Sequence, residues 1–246
     1  MSNRETAAAI LPCSQISTSQ ISDMFALHQV YFENVSFDKF KSDFSKKQWC
    51  IVICNLEQRI VGYSTIELIF RTINNKSQLI LFSGDTLVSK EYRSSNALIP
   101  LFVQFSEYLE RIYPTHERYW LLITKGYRTY RLLPTNYRVF YPTFRIETPP
   151  EIQNIIDIIC LEKFGSRYDA QAGILQSDNQ HDFLKPEFAE IPTGREHNPD
   201  VKFFLNINTG FRLGDELICL TPLAVSNLLP SSCRRYLNKR WNPIEA

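Results

Sequence analysis

The sequence is poor in glycine, has no long apolar run and carries almost no net charge. Only 8 of its 246 residues are glycine, which excludes glycine-rich repeats and linkers. The formal charge of +1 argues against a dedicated nucleic-acid or membrane-surface protein, because such proteins are usually strongly basic. No stretch has the roughly 18 uncharged apolar residues that span a bilayer. We therefore expect no membrane span and no nucleic-acid partner.

The apolar residues predict a folded protein with a full core. Hydrophobic residues make up 44% of the chain and aromatic ones 13%, too much for a disordered protein. The cysteines are scattered, and no His or Cys pair completes a zinc site with Cys50 and Cys54. We expect buried thiols, no metal and a reducing, cytoplasmic compartment, and we expect no signal peptide.

Hydrophobic periodicity predicts an alternation of strands and helices in the first half of the chain. A meander of three strands follows two helices, and a long helix then leads to a further strand. The predicted ranges are a strand at 7–13, helices from Ser19 and at 36–47, strands at 49–55, 60–70 and 77–88, a helix at 97–113 and a strand at 118–124.

The second half of the sequence is less regular. Pro149 and Pro150 open a helix with isoleucines on one face, and residues 165–200 form a long polar excursion. We predict a final hairpin from 201–207 and 215–223. The fold class is thus α+β: a mixed, largely antiparallel central sheet with helices on both faces. One domain spans 1–246, with an insertion at 145–200 before the final hairpin.

The segment FSGDTLVSKEYRSSNALIPLF at 82–102 has a distinctive form. A strand ends in Val88, an arginine-containing loop follows, and a helix then begins. This form and the element order over 7–140 resemble the GNAT superfamily of N-acyltransferases. The resemblance implies that a backbone N–H of Thr86, Leu87 or Val88 binds the carbonyl of an acyl-pantetheine thioester.

The loop that would hold the donor's phosphates departs from the superfamily pattern. Arg93, Ser94, Ser95, Asn96 and Ala97 would cradle a pyrophosphate, but neither of the expected glycines is present. The donor is therefore left open between acyl-coenzyme A and an acyl carrier protein. Members that acylate ribosomally made lipopeptides are the kind that the sequence resembles, and no tightly bound cofactor is implied.

Residues 118–146 contain several basic residues and no Asp or Glu. Lys125 and Arg128 alternate with tyrosines and could hold a phosphate-bearing donor. A solvated basic face balanced by acids elsewhere, or a single-stranded nucleic-acid site, would show the same pattern. The resemblance makes Tyr130 the first choice and Tyr127 the second for the acid that protonates the leaving thiolate, and either could equally be a buried structural tyrosine.

Three carboxylates and one histidine complete the candidate site. Asp85 could act as general base or bind the substrate ammonium, or it could be a turn or bulge residue. His28 lies on the apolar face of the first helix and is either a second candidate base or a core histidine. Asp215 and Glu216 could recognise a basic acceptor such as a lysine or ornithine side chain, or simply cap a hairpin.

These features predict an N-acyltransferase that moves a medium or long acyl chain to a primary amine, with residues 145–200 lining an acyl tunnel. The amine could belong to a peptide, and an acyl carrier protein is a candidate partner. Two alternatives remain open. One is a catalytically silent GNAT-like binding module, and the other is an autoinducer-synthase-like enzyme that takes its acyl group from acyl carrier protein.

Overall fold

The computed structural model describes residues 5–93, 97–178 and 181–236. The chain divides into two compact units. The first comprises the described residues of Met1–Val30, Val35–Tyr119 and Leu223–Ala246, and the second those of Tyr31–Asn34 and Trp120–Pro222. The single domain over 1–246, with its insertion at 145–200, stays a prediction.

The elements follow the predicted alternation. The strands are β1 (Thr6–Pro12), β2 (Phe32–Glu33), β3 (Trp49–Asn55), β4 (Ile60–Ile73), β5 (Lys76–Val88), β6 (Glu117–Thr124), β7 (Tyr168–Asp169), β8 (Ile174–Leu175), β9 (Phe183–Leu184) and β10 (Glu216–Pro222). The helices are α1 (Thr18–Tyr31), α2 (Phe37–Phe44), α3 (Leu98–Ile112), α4 (Tyr127–Tyr130), α5 (Leu132–Asn136), α6 (Pro150–Phe164), α7 (Pro186–Ala189), α8 (Pro199–Ile207) and α9 (Pro230–Tyr236).

The first unit is built on an antiparallel sheet in the order β1-β3-β4-β5. β4 and β5 form a long hairpin that turns at Asn74 and Asn75. Both residues have positive φ values, 53° and 61°, which asparagine tolerates better than most residues and which a tight hairpin turn requires. The predicted three-strand meander is confirmed.

Helices of the first unit cover both faces of this sheet. Ser36 caps α2, and the ring of Phe40 packs edge-on against Tyr63 of β4. On the opposite face, the Trp49 ring lies 5.3 Å from that of Phe105 in α3. Residues 63 and 66 of β4 alternate between the two faces, and Trp49 is paired with Ile66. The α+β class and the largely antiparallel sheet are confirmed.

The second unit contains residues 120–124 of β6 and the strands β10, β8 and β7, in the order β6-β10-β8-β7, with β10 and β7 both antiparallel to β8. α6 forms where Pro149 and Pro150 predict it, and the isoleucines of one face are buried: Ile152, Ile155, Ile156 and Ile159. The polar excursion at 165–200 contains the short strands β7, β8 and β9 and the helix α7.

The predicted final hairpin is wrong. Residues 201–207, expected to form a strand, lie in helix α8. The side chain of Asn198 accepts hydrogen bonds from the amides of Asp200 and Val201, and Pro199 stands in the first turn. Val201 and Phe204, three residues apart, are buried on one helix face. These start signals outweigh the strand propensity of the segment.

Among the described residues, none of the helices is long and apolar enough to cross a membrane.

Candidate functional site

A β-bulge interrupts β5 near its carboxyl end. Thr86 is paired with Ser64 and Ser83 with Ile66, so Gly84 and Asp85 together stand opposite the single residue Thr65. A bulge of this kind bends the strand and re-aims its side chains, and bulges occur often next to active sites. The sequence left Asp85 open between a bulge position and a catalytic one, and the structure places it at a bulge.

The residues after the bulge present backbone amides to one edge of the strand. The amide of Ser89 donates to the carbonyl of Val61 in the β4 region at 2.8 Å. Since amides alternate in direction along a strand, those of Thr86 and Val88 point away from β4. Two of the three positions implied for thioester binding, Thr86 and Val88, thus have amides directed away from β4, while the Leu87 amide points toward β4 and its side chain is buried.

The loop after β5 is anchored on the strand by its arginine. The Arg93 guanidinium donates through Nε to the carbonyl of Val88 at 3.1 Å. Ser94, Ser95 and Asn96, predicted to cradle a pyrophosphate, lie outside the described residues. Ala97 is buried and directly precedes α3, a 15-residue helix with no acidic residue in its first turn. The positive end of a helix of this length favours an anion.

Two hydrogen-bonded pairs flank the bulge on opposite faces of the sheet. His28 of α1 and Tyr63 of β4 form a buried bond of 2.9 Å between Nδ1 and the phenol oxygen, and the His28 ring packs on Phe40. On the other face, the hydroxyls of Ser64 and Thr86 are 2.7 Å apart. His28 thus has the surroundings of a core histidine, the second of the two alternatives that the sequence left open.

A buried lysine lies beside the bulge, and sequence reasoning missed it. Lys47 is 6% exposed, and its ammonium lies 3.2 Å from Asp43 and 3.3 Å from Glu67. It also lies over the ring of Phe82, 4.8 Å from its centre. An isolated glycine within a strand pattern is a sequence signal for a bulge, so Gly84 could have indicated this place. No sequence pattern indicates that Lys47 is buried beside this bulge.

Tyr130 is a fully buried residue of the second unit. Its hydroxyl donates to the carbonyl of Pro142 at 3.1 Å, and its ring packs against Phe140 and Phe204. The pKa of Tyr130 is raised well above its ordinary value, mainly because the phenol is buried and, to a smaller extent, because Cys219 is nearby. Because the phenol donates its proton to a backbone carbonyl, these surroundings favour the alternative in which Tyr130 is a buried structural tyrosine.

The basic residues of the second unit are largely engaged with other groups. Lys125 forms an ion pair with Asp182 at 2.9 Å and lies 4.0 Å from Glu216. Arg128 donates to the carbonyl of Phe188 at 2.9 Å and stacks over the buried Tyr127. The phosphate-binding role predicted for Lys125 and Arg128 stays a prediction.

The two acidic residues predicted to recognise the acceptor also have internal partners. Asp215 accepts a hydrogen bond from the amide of Ser177 at 2.8 Å. Glu216, the first residue of β10, is buried and lies 3.6 Å from Arg167. Both have structural partners, but the hairpin that they were alternatively predicted to cap is absent, because residues 201–207 are helical. Their role in recognising the acceptor stays a prediction. The structure brings Asp85, Thr86, Val88 and Arg93 together in the first unit, and it places Asp215 and Glu216 in the second.

Within residues 5–93, 97–178 and 181–236, no group of three or more His, Cys, Asp or Glu side chains is arranged to hold a metal ion. The cysteines in this part of the chain are free thiols, and burial raises the pKa of Cys13 to about 11 and that of Cys160 to about 12. Such thiols are poor nucleophiles at neutral pH.

No family model matches the sequence, and no curated protein is significantly similar to it. Similar solved structures include an aminoglycoside 6'-N-acetyltransferase from Acinetobacter baumannii, at 18% identity over 46% of this chain and 77% of the other, with a TM-score of 0.35. A GNAT-family N-acetyltransferase from Escherichia coli, in complex with CoA, is 13% identical over 49% of this chain and 64% of the other, also with a TM-score of 0.35. A protein named NAA60 from Arabidopsis thaliana, in complex with acetyl-CoA, is 14% identical over 57% and 92%, with a TM-score of 0.38. Because these TM-scores are low, the similarities carry no argument about the function of this chain.

Proposed function

We propose that this chain is an N-acyltransferase that moves an acyl group from a pantetheine thioester to a primary amine. The observation that carries the proposal is the β-bulge at Gly84 and Asp85. The end of β5, then Arg93 and then the start of α3 follow it along the chain. Along this stretch of chain stand a carboxylate, backbone donors and a positively charged loop and helix end. Acyl transfer from a thioester needs these three kinds of group.

The thioester would lie along the end of β5. The amides of Thr86 and Val88, which point away from β4, would donate to the thioester carbonyl. They would stabilise the negative oxygen of the tetrahedral intermediate. Arg93 and the amino end of α3 would hold the phosphate groups of the donor. The loop glycines are missing, so we include both acyl-coenzyme A and acyl carrier protein as donors.

Asp85 would act as the general base. The amine must lose a proton to attack the carbonyl, and a carboxylate at the bulge can accept it. The amine nitrogen forms the new C–N bond first, which gives the tetrahedral intermediate, and the C–S bond then breaks. The departing thiolate takes up a proton from solvent and is released as the free thiol. Tyr130 has no part in this proposal because its hydroxyl is buried and donates to Pro142.

We further propose that the transferred acyl chain is medium or long and that residues 145–200 line a tunnel for it. The acceptor amine would belong to a peptide. The exposed Phe144 and Ile146, each 49% accessible, supply apolar surface at the start of this segment. An acceptor peptide would place the chain among enzymes that lipidate ribosomally made peptides.

An acyl-transfer assay tests the proposal. The protein is mixed with acyl-coenzyme A of about two to sixteen carbons, or with acyl carrier protein, and with a panel of amines and short peptides. Mass spectrometry should show an acylated amine and an equal amount of free thiol. An Asp85→Asn variant should lose about a hundredfold in rate at unchanged donor affinity. Donor binding without any transfer would instead favour the catalytically silent binding module. Binding of acyl carrier protein but of no acyl-coenzyme A would identify acyl carrier protein as the donor.

A further inference from the structure

The two strands of the β4–β5 hairpin carry unequal numbers of residues through the bulge. Ser83 is paired with Ile66, and Leu87 is paired with Tyr63, so three residues of β5 stand opposite two residues of β4. The residues between these two pairs are Gly84, Asp85 and Thr86 on β5 and Thr65 and Ser64 on β4. One residue of β5 is therefore extra, and its placement decides where its side chain points.

The residue opposite Thr65 has to be glycine. A Cβ atom on Gly84 would lie 2.6 Å from Thr65 Oγ1 and 3.2 Å from Lys47 Cε, so these two buried side chains fill the space beside the glycine. A larger residue at this position would force its neighbours to shift. Gly84 therefore stays opposite Thr65, and the extra residue is Asp85.

Two placements of Asp85 are compatible with these fixed pairs. It can stand with Gly84 opposite Thr65, or with Thr86 opposite Ser64. Paired residues share a face of the sheet, and successive residues alternate between faces. The first placement puts the Asp85 side chain on the face of Thr65, and the second would put it on the other face, that of Ser64. The structure has the first placement.

A chain of hydroxyl hydrogen bonds holds this placement. The hydroxyls of Ser64 and Thr86 are 2.7 Å apart, and Thr86 Oγ1 donates to the Gly84 carbonyl at 3.2 Å. Because a hydroxyl has one proton, Ser64 is then the donor to Thr86. Ser64 is fully buried, so its hydroxyl needs the partner that Thr86 supplies.

The bond from Thr86 to Gly84 is specific to the bulge. Successive residues of an extended strand are roughly 3.3 Å apart along its axis, so a side-chain hydroxyl reaches the carbonyl two residues back only where the chain is contracted. The bond joins the residues on either side of Asp85 and so closes the contracted backbone that contains it. In the second placement Gly84 and Asp85 would follow the regular strand, and this bond would be lost.

We propose that Thr86 is a positioning residue, whose hydroxyl holds the bulge and thereby keeps the base Asp85 on its face of the sheet. This inference rests on the proposed acyltransferase function. It gives Thr86 a second part in that function: its backbone amide donates to the thioester carbonyl, and its side chain fixes the neighbouring base.

Substitution of Thr86 by valine tests the proposal. Thr86→Val keeps the backbone amide and the branched shape and removes only the hydroxyl. We expect kcat for acyl transfer to fall about fivefold or more at an unchanged KM for the donor, because one hydrogen bond no longer favours the active placement. Thr86→Ser, which keeps the hydroxyl, should retain the wild-type kcat. Thr72→Val is the matched control, since Thr72 also faces a serine, Ser77, at the exposed end of the same hairpin.

Cross-strand nuclear Overhauser effects locate the bulge without any need for activity. Ser64 should show contacts to Thr86 in the wild type, and additional contacts to Asp85 in Thr86→Val. Unchanged contacts in Thr86→Val would overturn the hold on the bulge, and an unchanged kcat would overturn the positioning role. An equal loss of kcat in Thr86→Ser would also overturn it, because the hydroxyl would then not be the cause.

A second variant covers the case in which Thr86→Val fails to fold. Ser64→Ala removes the other hydroxyl of the pair, and the same loss of kcat and the same new contacts are expected from it. Failure of the wild type to acylate any amine would overturn the acyltransferase proposal and the positioning role with it. The cross-strand contacts would then still decide whether the hydroxyl of Thr86 holds the bulge.

Discussion

At the scale of single residues, burial and hydrogen bonding separate the candidate groups of the site. Asp85 is partly accessible at a bulge, whereas Tyr130 is fully buried with its hydroxyl bound to a carbonyl. A general acid or base must reach the reacting atoms, and a buried phenol that donates to the backbone has a structural role instead. This difference is the reason why the proposed mechanism uses Asp85 as its base.

Substitution of Tyr130 by phenylalanine tests that assignment. Tyr130→Phe should cost about 1 kcal/mol of unfolding free energy near neutral pH, because the bond to Pro142 is lost. It should leave the acyl-transfer rate unchanged. Urea unfolding and the transfer assay measure the two quantities, and a large loss of rate in a stably folded variant would restore Tyr130 as the acid.

The raised pKa of Tyr130 adds a pH dependence. The folded-state pKa lies above the ordinary value of 10, so above pH 10 the unfolded chain releases this proton first and stability falls. The stability associated with Tyr130 is therefore fully present below pH 10. Tyr130→Phe should reduce the loss of unfolding free energy between about pH 8 and about pH 11 by roughly 1.4 kcal/mol. An equal loss in both proteins would mean that the pKa of Tyr130 is the same in the folded and unfolded chains, which would contradict its raised pKa.

At the scale of elements, the sequence predicts those parts of the fold that strong periodic patterns specify. The meander of β3, β4 and β5 and the helices α1, α2, α3 and α6 form where their apolar spacing indicates. The segment 201–207 was misassigned because valine and phenylalanines suggest a strand, while the decisive signal is Asn198 followed by Pro199. Lys47 and Thr65 could not be predicted as neighbours of Gly84. Only the register of β4 and β5 places Thr65 opposite Gly84, and lysine, here in the connection between α2 and β3, is rarely buried.

The cap of α8 offers a test at this scale. Asn198→Ala removes the side-chain acceptor of the amides of Asp200 and Val201, and we expect it to cost about 1 kcal/mol. Thermal unfolding should show a melting temperature lower by roughly 2–4 °C. Asn206→Ala, at an exposed position inside the same helix, is the control and should be neutral or slightly stabilising. Equal melting temperatures for Asn198→Ala and the wild type would contradict the capping role.

At the scale of the whole molecule, the sequence carries almost no net charge, and several of its charges are paired in the structure. Basic residues of the acid-free stretch 118–146 pair with acids that lie outside this stretch. In the first unit, Arg118 lies 3.3 Å from Glu110. In the second, Lys125 pairs with Asp182, and Arg145 lies 2.7 Å from Asp200. This arrangement agrees with the balanced basic face that the sequence left as an alternative, and it leaves Arg93 and the start of α3 as the proposed phosphate site.

Donor binding tests the central claim, a pantetheine thioester site at the end of β5, most directly. Isothermal titration calorimetry with acyl-coenzyme A of increasing chain length, and then with acyl carrier protein, measures affinity and stoichiometry. We predict one thioester bound per chain, with an affinity that rises with acyl length if residues 145–200 line the acyl chain. Absence of binding to every acyl-coenzyme A and to acyl carrier protein would contradict the account.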